Sequence, residues 1–249
     1  MKQKHADYQV VSYPKIRRFM AAARRSVPHK SMMHGLIEVD VTRARAFLRD
    51  HKAKTREALS FTAFIIACVA KAVDENKAVR ASRKGRKHLI LFEDVDVYLP
   101  IEHDMAGQKQ PIPSIIRAAN RKTVREIHQE IRAAQVQGVT KDLMRFQSLP
   151  TLLFKPYLWI FTWRGRTHPQ VRKKNVGTVG GIAEKPGVVN GAIAIRDYLS
   201  LTISFDHDIV DGAPAARFTE RLKDLIESGY GLGDSTVESE QAGAKGAVL

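Results

Sequence analysis

Residues 199–218 read Leu-Ser-Leu-Thr-Ile-Ser-Phe-Asp-His-Asp-Ile-Val-Asp-Gly-Ala-Pro-Ala-Ala-Arg-Phe. The first part alternates: Leu199, Leu201 and Ile203 interleave with Ser200, Thr202 and Ser204, the period-two pattern of a half-buried strand. A strand is therefore predicted from Tyr198 to Phe205. The second part carries the signals of a helix start. Asp211 is the expected N-cap, and Pro214 falls in the first turn, where its missing N–H costs nothing. That helix should run to about Ser228 and stop at Gly229. His207 is thereby placed just past a strand end, and Asp211 at the start of the next helix. A short loop between rigid elements holds side chains while leaving them accessible. Histidine suits proton abstraction in such a place, since its unperturbed pKa of about 6.5 lies close to cellular pH.

Outward from this stretch, Val188 to Ile195 predicts a hairpin around Asn190-Gly191, residues that accept positive φ at both turn positions. Ser31 to Val41 predicts a strand, and Thr42 is the expected N-cap of a helix from Arg43 to about His51. Ser60 should cap another, Phe61 to Asn76, whose apolar face holds Phe64, Ile65, Cys68, Val69, Ala72 and Val73. On that face Cys68 is expected to be a buried core thiol rather than a reactive one. A strand is expected from His88 to Ile101. There Asp94 and Asp96 alternate with apolar residues, and alternation on a half-buried strand accounts for them more simply than a metal does. Pro111 to Ile116 adds a short strand, Thr123 to Gln137 a charged helix, and Lys15 to Arg25 a basic helix ended by Ser26-Val27-Pro28.

With 249 residues the chain can bury a sizeable core. One domain is expected over residues 1–230, followed by a flexible small-residue tail over 231–249. A hydrophobic content of 44% excludes a wholly disordered protein. The single cysteine excludes an internal disulfide or a multi-cysteine zinc site, and no metal is expected. No apolar run follows Met1-Lys2-Gln3-Lys4-His5, so a signal peptide is not expected and the cytoplasm is. Leu152 to Trp163 is apolar but is about half the roughly 20 residues of a spanning helix. Pro150 and Pro156 spoil an amphipathic anchor, so a surface for a partner subunit is the expectation there. The net charge of +15 is spread over Arg17-Arg18, Arg24-Arg25, Arg83 to Lys87 and Arg172 to Lys174. Without stacking aromatics or a zinc-finger motif, this pattern suits anionic substrates or acidic partners better than nucleic acid.

The segment Leu199 to Phe218 resembles the active-site region of the catalytic domain of 2-oxoacid dehydrogenase dihydrolipoamide acyltransferases, which are related in fold to chloramphenicol acetyltransferase. Ile16-Arg17-Arg18 through Val27-Pro28-His29, with Glu38 to Thr42, looks like the family's N-terminal helix and first strand. Phe61-Thr62-Ala63-Phe64 looks like its core helix. Phe92 to Val97, Ile112-Pro113 and Asn120-Arg121-Lys122 look like its central strands and next helix, and Gly180 to Pro186 like its final hairpin. The resemblance implies an α/β fold of the coenzyme A-dependent acyltransferase type, a mixed sheet flanked by helices. It implies a homotrimer or larger trimer-based assembly, with active sites between subunits. By the same resemblance His207 removes a thiol proton, and the thiolate attacks an acyl thioester. Asp211 is similar to the family's structural acid, held by a salt bridge to an arginine of the N-terminal helix. Arg17 is the best match for that arginine, and Arg18 the second.

Two departures bear on function. No lipoyl domain, subunit-binding domain or Pro/Ala-rich linker is expected ahead of the catalytic region, so the expected thiol partner is free coenzyme A or a lipoyl group on another protein. The segment that in the family supplies a serine or threonine hydroxyl to the oxyanion is also shortened, and Thr178 in Asn175 to Gly180 is the nearest candidate. Losing one oxyanion donor typically costs about 100- to 1000-fold in turnover. Two readings therefore stand side by side: an acyltransferase moving acyl groups between thiols, and a catalytically weak or inactive assembly protein that keeps the trimeric fold.

Overall fold

The computed structural model describes residues 31–85, 87–105, 108–136 and 177–233, together with Ala21. Apart from Ala21, these belong to one compact unit, Lys30–Gly138 with Arg172–Leu249. The expected basic helix with Arg17 and Arg18, the Leu152–Trp163 stretch and the tail beyond Gly233 lie outside the described residues. The elements are β1 (Met32–Asp40), α1 (Thr42–Thr55), α2 (Phe61–Glu75), β2 (Ser82–Lys84), β3 (His88–Ile90), β4 (Val97–Met105), β5 (Gln108–Ile116), α3 (Val124–Val136), β6 (Gly177–Val189), β7 (Ala192–Asp206) and α4 (Gly212–Ser228).

The strand predicted from Tyr198 is the second half of β7, which continues without a break from the Asn-Gly hairpin and is 15 residues long. It is continuous because Asp197 is satisfied in extended form. Its N–H donates to Thr42 Oγ1 at 2.8 Å, its carbonyl accepts from the Val41 N–H at 2.8 Å, and its carboxylate meets Arg45 at 2.8 Å. β7 is the middle strand of a three-stranded sheet, with β1 and β6 antiparallel on either side. Asn190 and Gly191 take φ of 50° and 81°, which closes the tight β6–β7 turn as expected. A bulge interrupts the pairing between Val179 and Ile182. There Gly180 passes so close to β7 that a Cβ on it would lie 2.8 Å from the Ser200 carbonyl, so the position requires glycine. β2 and β3 form a second sheet and β4 and β5 a third. All pairings are antiparallel, so the parallel pair that a mixed sheet requires does not occur among the described residues.

One face of β7 (Leu199, Leu201, Ile203, Phe205) is buried, and α2 and α4 contribute Phe64, Cys68, Phe218, Leu222 and Ile226 to the same core. Burial pushes the Cys68 thiol up from its ordinary pKa, so the reactive thiolate is suppressed. Native protein treated with iodoacetamide near neutral pH should stay unlabelled, whereas protein in urea should take up one equivalent. Rapid labelling of the native form would contradict the core placement.

Three local expectations need correction. Thr42 is not the cap of α1 but its first residue. Val41 holds the cap position, and the Thr42 hydroxyl instead donates to Asp40 Oδ1 at 2.6 Å. The strand expected from His88 to Ile101 is broken, because Asp94 and Asp96 sit in the irregular stretch between β3 and β4. Their carboxylates bind Arg121 at 2.9 Å and Arg117 at 2.8 Å, and that of Asp96 also accepts the Ala118 N–H, so they anchor a loop rather than alternate on a strand. Finally, Leu232, within the stretch expected to be a flexible tail, is buried in the core.

Asp40 is the acid to watch in titrations. Burial raises its carboxyl pKa. The Thr42 hydroxyl and N–H and the Arg196 guanidinium outweigh that and hold it below the ordinary range. Because the folded value is depressed, its stabilising contribution is present above the unfolded value of about 3.9 and is lost as pH falls through the lower folded one. Asp40→Asn should therefore destabilise the protein at pH 6 and flatten the acid limb of its stability curve below about pH 4. An unchanged acid limb would rule Asp40 out as a contributor.

Candidate active site

The loop that follows β7 is pinned at both ends. Phe205, 3% exposed, meets Phe218 of α4 edge-on, with ring centroids 5.7 Å apart at 88°. At the other end Val210 is buried. Between them the chain makes one tight turn, in which the Asp206 carbonyl accepts the N–H groups of Ile209 at 2.9 Å and Val210 at 3.0 Å. The Asp206 side chain turns back to accept the Asp208 N–H at 3.3 Å, an Asx-type closure. The His207 N–H donates to the Ser31 carbonyl at 2.8 Å, tying the turn to the start of β1. The two ends thus sit in the core while His207 and Asp208 are held out at the tip.

The His207 side chain is 52% exposed, and its Nδ1 lies 3.9 Å from Asp211 Oδ1. That is within ion-pair range but too long for a hydrogen bond. Asp211 does occupy the N-cap position of α4, as expected, yet its side chain makes no capping bond and is 88% exposed. Its proposed partner Arg17 lies outside the described residues. The second neighbour of the tip is Arg83 of β2, whose guanidinium lies 3.8 Å from Asp208. Sequence reasoning missed this contact, because 125 residues separate the two and nothing local signals it.

Thr178 is not brought to His207 within one chain. β6 pairs it with Thr202, and the five residues from there to His207 span roughly 16 Å of strand. A cavity of about 580 Å³ opens on the inner face of β7, walled by Phe61, Ile65, Val69, Leu99, Leu201 and Leu222. It is of small-ligand size and largely apolar. His207 is not in its wall. Among the described residues no group of three or more His, Cys, Asp or Glu side chains is placed to hold a metal ion, and no helix is long and apolar enough to cross a membrane.

A pinned histidine loop between a central strand and an amphipathic helix is what the described residues place at this site. A model described as "2-oxoacid dehydrogenases acyltransferase (catalytic domain)" matches residues 6–146 and 168–232, and the chain belongs to that family. The chain is similar to the lipoamide acyltransferase component of the branched-chain alpha-keto acid dehydrogenase complex of Bacillus subtilis, 28% identical over 218 residues, covering 84% of this chain and 49% of that protein. It is similar also to the dihydrolipoyllysine-residue acetyltransferase component of the pyruvate dehydrogenase complex of the same organism, 24% identical, covering 85% of this chain and 47% of that one. It thus spans about half the length of these relatives. The cubic core of the pyruvate dehydrogenase multienzyme complex superposes with a TM-score of 0.66 at 20% identity, over 90% of this chain and 93% of that one. The acyltransferase-core fold expected from the sequence is thereby established.

Proposed function

We propose that the protein is an acyltransferase that moves an acyl group between thiols, with coenzyme A as one partner and a dihydrolipoyl group on another protein as the other. The carrying observation is the placement of His207, an exposed imidazole on a loop pinned by Phe205 and Val210, in a chain of this family. Nδ1 is turned to Asp211, so Nε2 is the nitrogen left to take the proton of an incoming thiol. The thiolate then attacks the thioester carbonyl, the tetrahedral oxyanion collapses, and the leaving thiolate recovers the proton from the imidazolium. Asp211, 3.9 Å from Nδ1, faces the ring and does not itself carry the proton. The oxyanion needs a donor from elsewhere, since Thr178 of the same chain is out of reach. A trimer-based assembly like the cubic core, with the donor lent by a neighbouring subunit, would supply one. A cytoplasmic location accords with the proposed substrates.

The shortened segment from Gly177 to Gly181 is what favours the second reading, an assembly protein that keeps the fold with little or no activity. One assay separates the two. Purified protein is given acetyl-, propionyl- or branched acyl-coenzyme A with dihydrolipoamide, and transfer is followed for wild type and His207→Ala. Transfer that depends on His207 supports the enzyme. Transfer no faster than the His207→Ala background with every acyl group leaves the assembly reading standing.

A further inference from the structure

The loop between α1 and α2 is tied to α3 by a histidine. His128 of α3 is partly buried, and its Nδ1 accepts the backbone N–H of Ser60 at 3.1 Å. A backbone amide can only donate, so Nδ1 must be the bare nitrogen of a neutral imidazole. A protonated ring carries a hydrogen on both nitrogens and cannot accept this bond. The tie therefore exists in one charge state of the ring alone. Ser60 is the N-cap of α2, and its own side chain makes no capping bond, so the tie holds the point where the core helix begins. The next two residues, Phe61 and Thr62, stand in the wall of the apolar cavity.

Charges gather around this ring. Glu57, in the same loop, binds Arg125 of α3 at 3.1 Å and lies 3.5 Å from Nε2 of the buried His51 of α1. Arg125 and Arg132 flank His128 about one turn away on either side along α3. The carboxylates of α3 are engaged elsewhere, Glu126 by Thr123 and Glu130 by Lys122. On α2 every residue from Phe61 to Ala70 is uncharged. The charged residues of β4 and β5, Glu102 to Asp104 and Lys109, belong to the half of that hairpin next to its turn. Burial first, and Arg132 second, hold the His128 pKa below its ordinary value, with Glu57 acting against them. Because the folded value is depressed, the stabilisation is complete above the unfolded value of about 6.5 and is lost as pH falls through the lower folded one.

We propose that His128 is a proton-operated clasp on the start of α2: neutral, it holds Ser60 and loop 56–60 against α3, and protonated, it lets them go. Mild acid thus loosens the cavity wall at Phe61 and Thr62 while the rest of the core stays folded.

The test is hydrogen exchange on the full chain, read by mass spectrometry on peptides spanning 56–64 and compared at each pH with a peptide from the middle of α2. The proteins are wild type, His128→Asn and His128→Leu. Asparagine puts an amide oxygen near the place of Nδ1 and does not titrate, and leucine removes the acceptor. From about pH 7.5 to about 5.5 the relative exchange of 56–64 should rise roughly tenfold in the wild type, the worth of one hydrogen bond. It should stay low in His128→Asn and high in His128→Leu throughout. A wild-type ratio that does not change with pH overturns the proposal. So does a rise of the same size in His128→Asn, which would assign the loosening to another group such as His51 or Glu57. A His128→Leu protein as well protected as wild type at pH 7.5 overturns it too, since the bond would then hold nothing.

Discussion

Replacing His207 with alanine should lower kcat for thiol-to-thiol acyl transfer by about 100- to 10,000-fold, the usual worth of a positioned general base. Stability should hardly change. The side chain is half exposed and lies 3.9 Å from Asp211, and the turn keeps its shape through backbone bonds to the Asp206 and Ser31 carbonyls. Added imidazole should restore part of the lost rate by entering the vacated space. Asp211→Asn is expected to have a much smaller effect, because an ion pair this long and this exposed does little to hold the ring. A His207→Ala protein with the same melting temperature and the same kcat as wild type would remove His207 from the mechanism. If Asp211→Asn cost as much as His207→Ala, Asp211 would have to be a proton carrier, contrary to the assignment made above.

Phe218→Ala should be the most damaging single core change for both stability and activity. The ring is fully buried and packs edge-on against Phe205, two residues before His207. Truncation removes the apolar burial and leaves a cavity between β7 and α4, at a cost of about 3–5 kcal/mol. For a protein of this size the melting temperature should drop by roughly 10 °C or more. Activity should fall further than the folded fraction does, since the same ring pins the upstream end of the His207 turn. Phe218→Leu fills most of the space and should lose much less of both. Melting curves and transfer rates taken at a temperature where each variant is folded will separate these contributions. A Phe218→Ala protein that is as stable as wild type would show that the pair does not anchor the loop.

The parts of this architecture that were legible in the sequence are those set by short-range rules. Alternation from Leu199 to Phe205 fixes which face of β7 is buried, and Asn190-Gly191 and Gly229 mark a turn and a helix end through the positive φ that they accept. Asp211 and Pro214 mark the start of α4 in the same way. Errors arose where a distant partner decides a local choice. Thr42 looks like a cap until Asp40 and Asp197, the latter 155 residues away, claim its hydroxyl. Asp94 and Asp96 look like strand residues until Arg121 and Arg117 draw them into a loop. The site follows the same division. The position of His207 just past β7 was legible because its loop is local, whereas the approach of Arg83 to Asp208 and the separation of Thr178 from His207 depend on pairing between remote segments.

Cys68 is the chain's only cysteine and is sealed beneath α4, with its sulfur 3.7 Å from the Leu225 carbonyl. It can therefore serve as an internal clock. A thiol reagent reaches it only when α2 and α4 part. At low reagent concentration the labelling rate measures how often the open form is populated, and at saturating reagent it measures how fast the core opens. One residue with no part in the chemistry thus gives both the free energy and the rate of that opening, without an added probe.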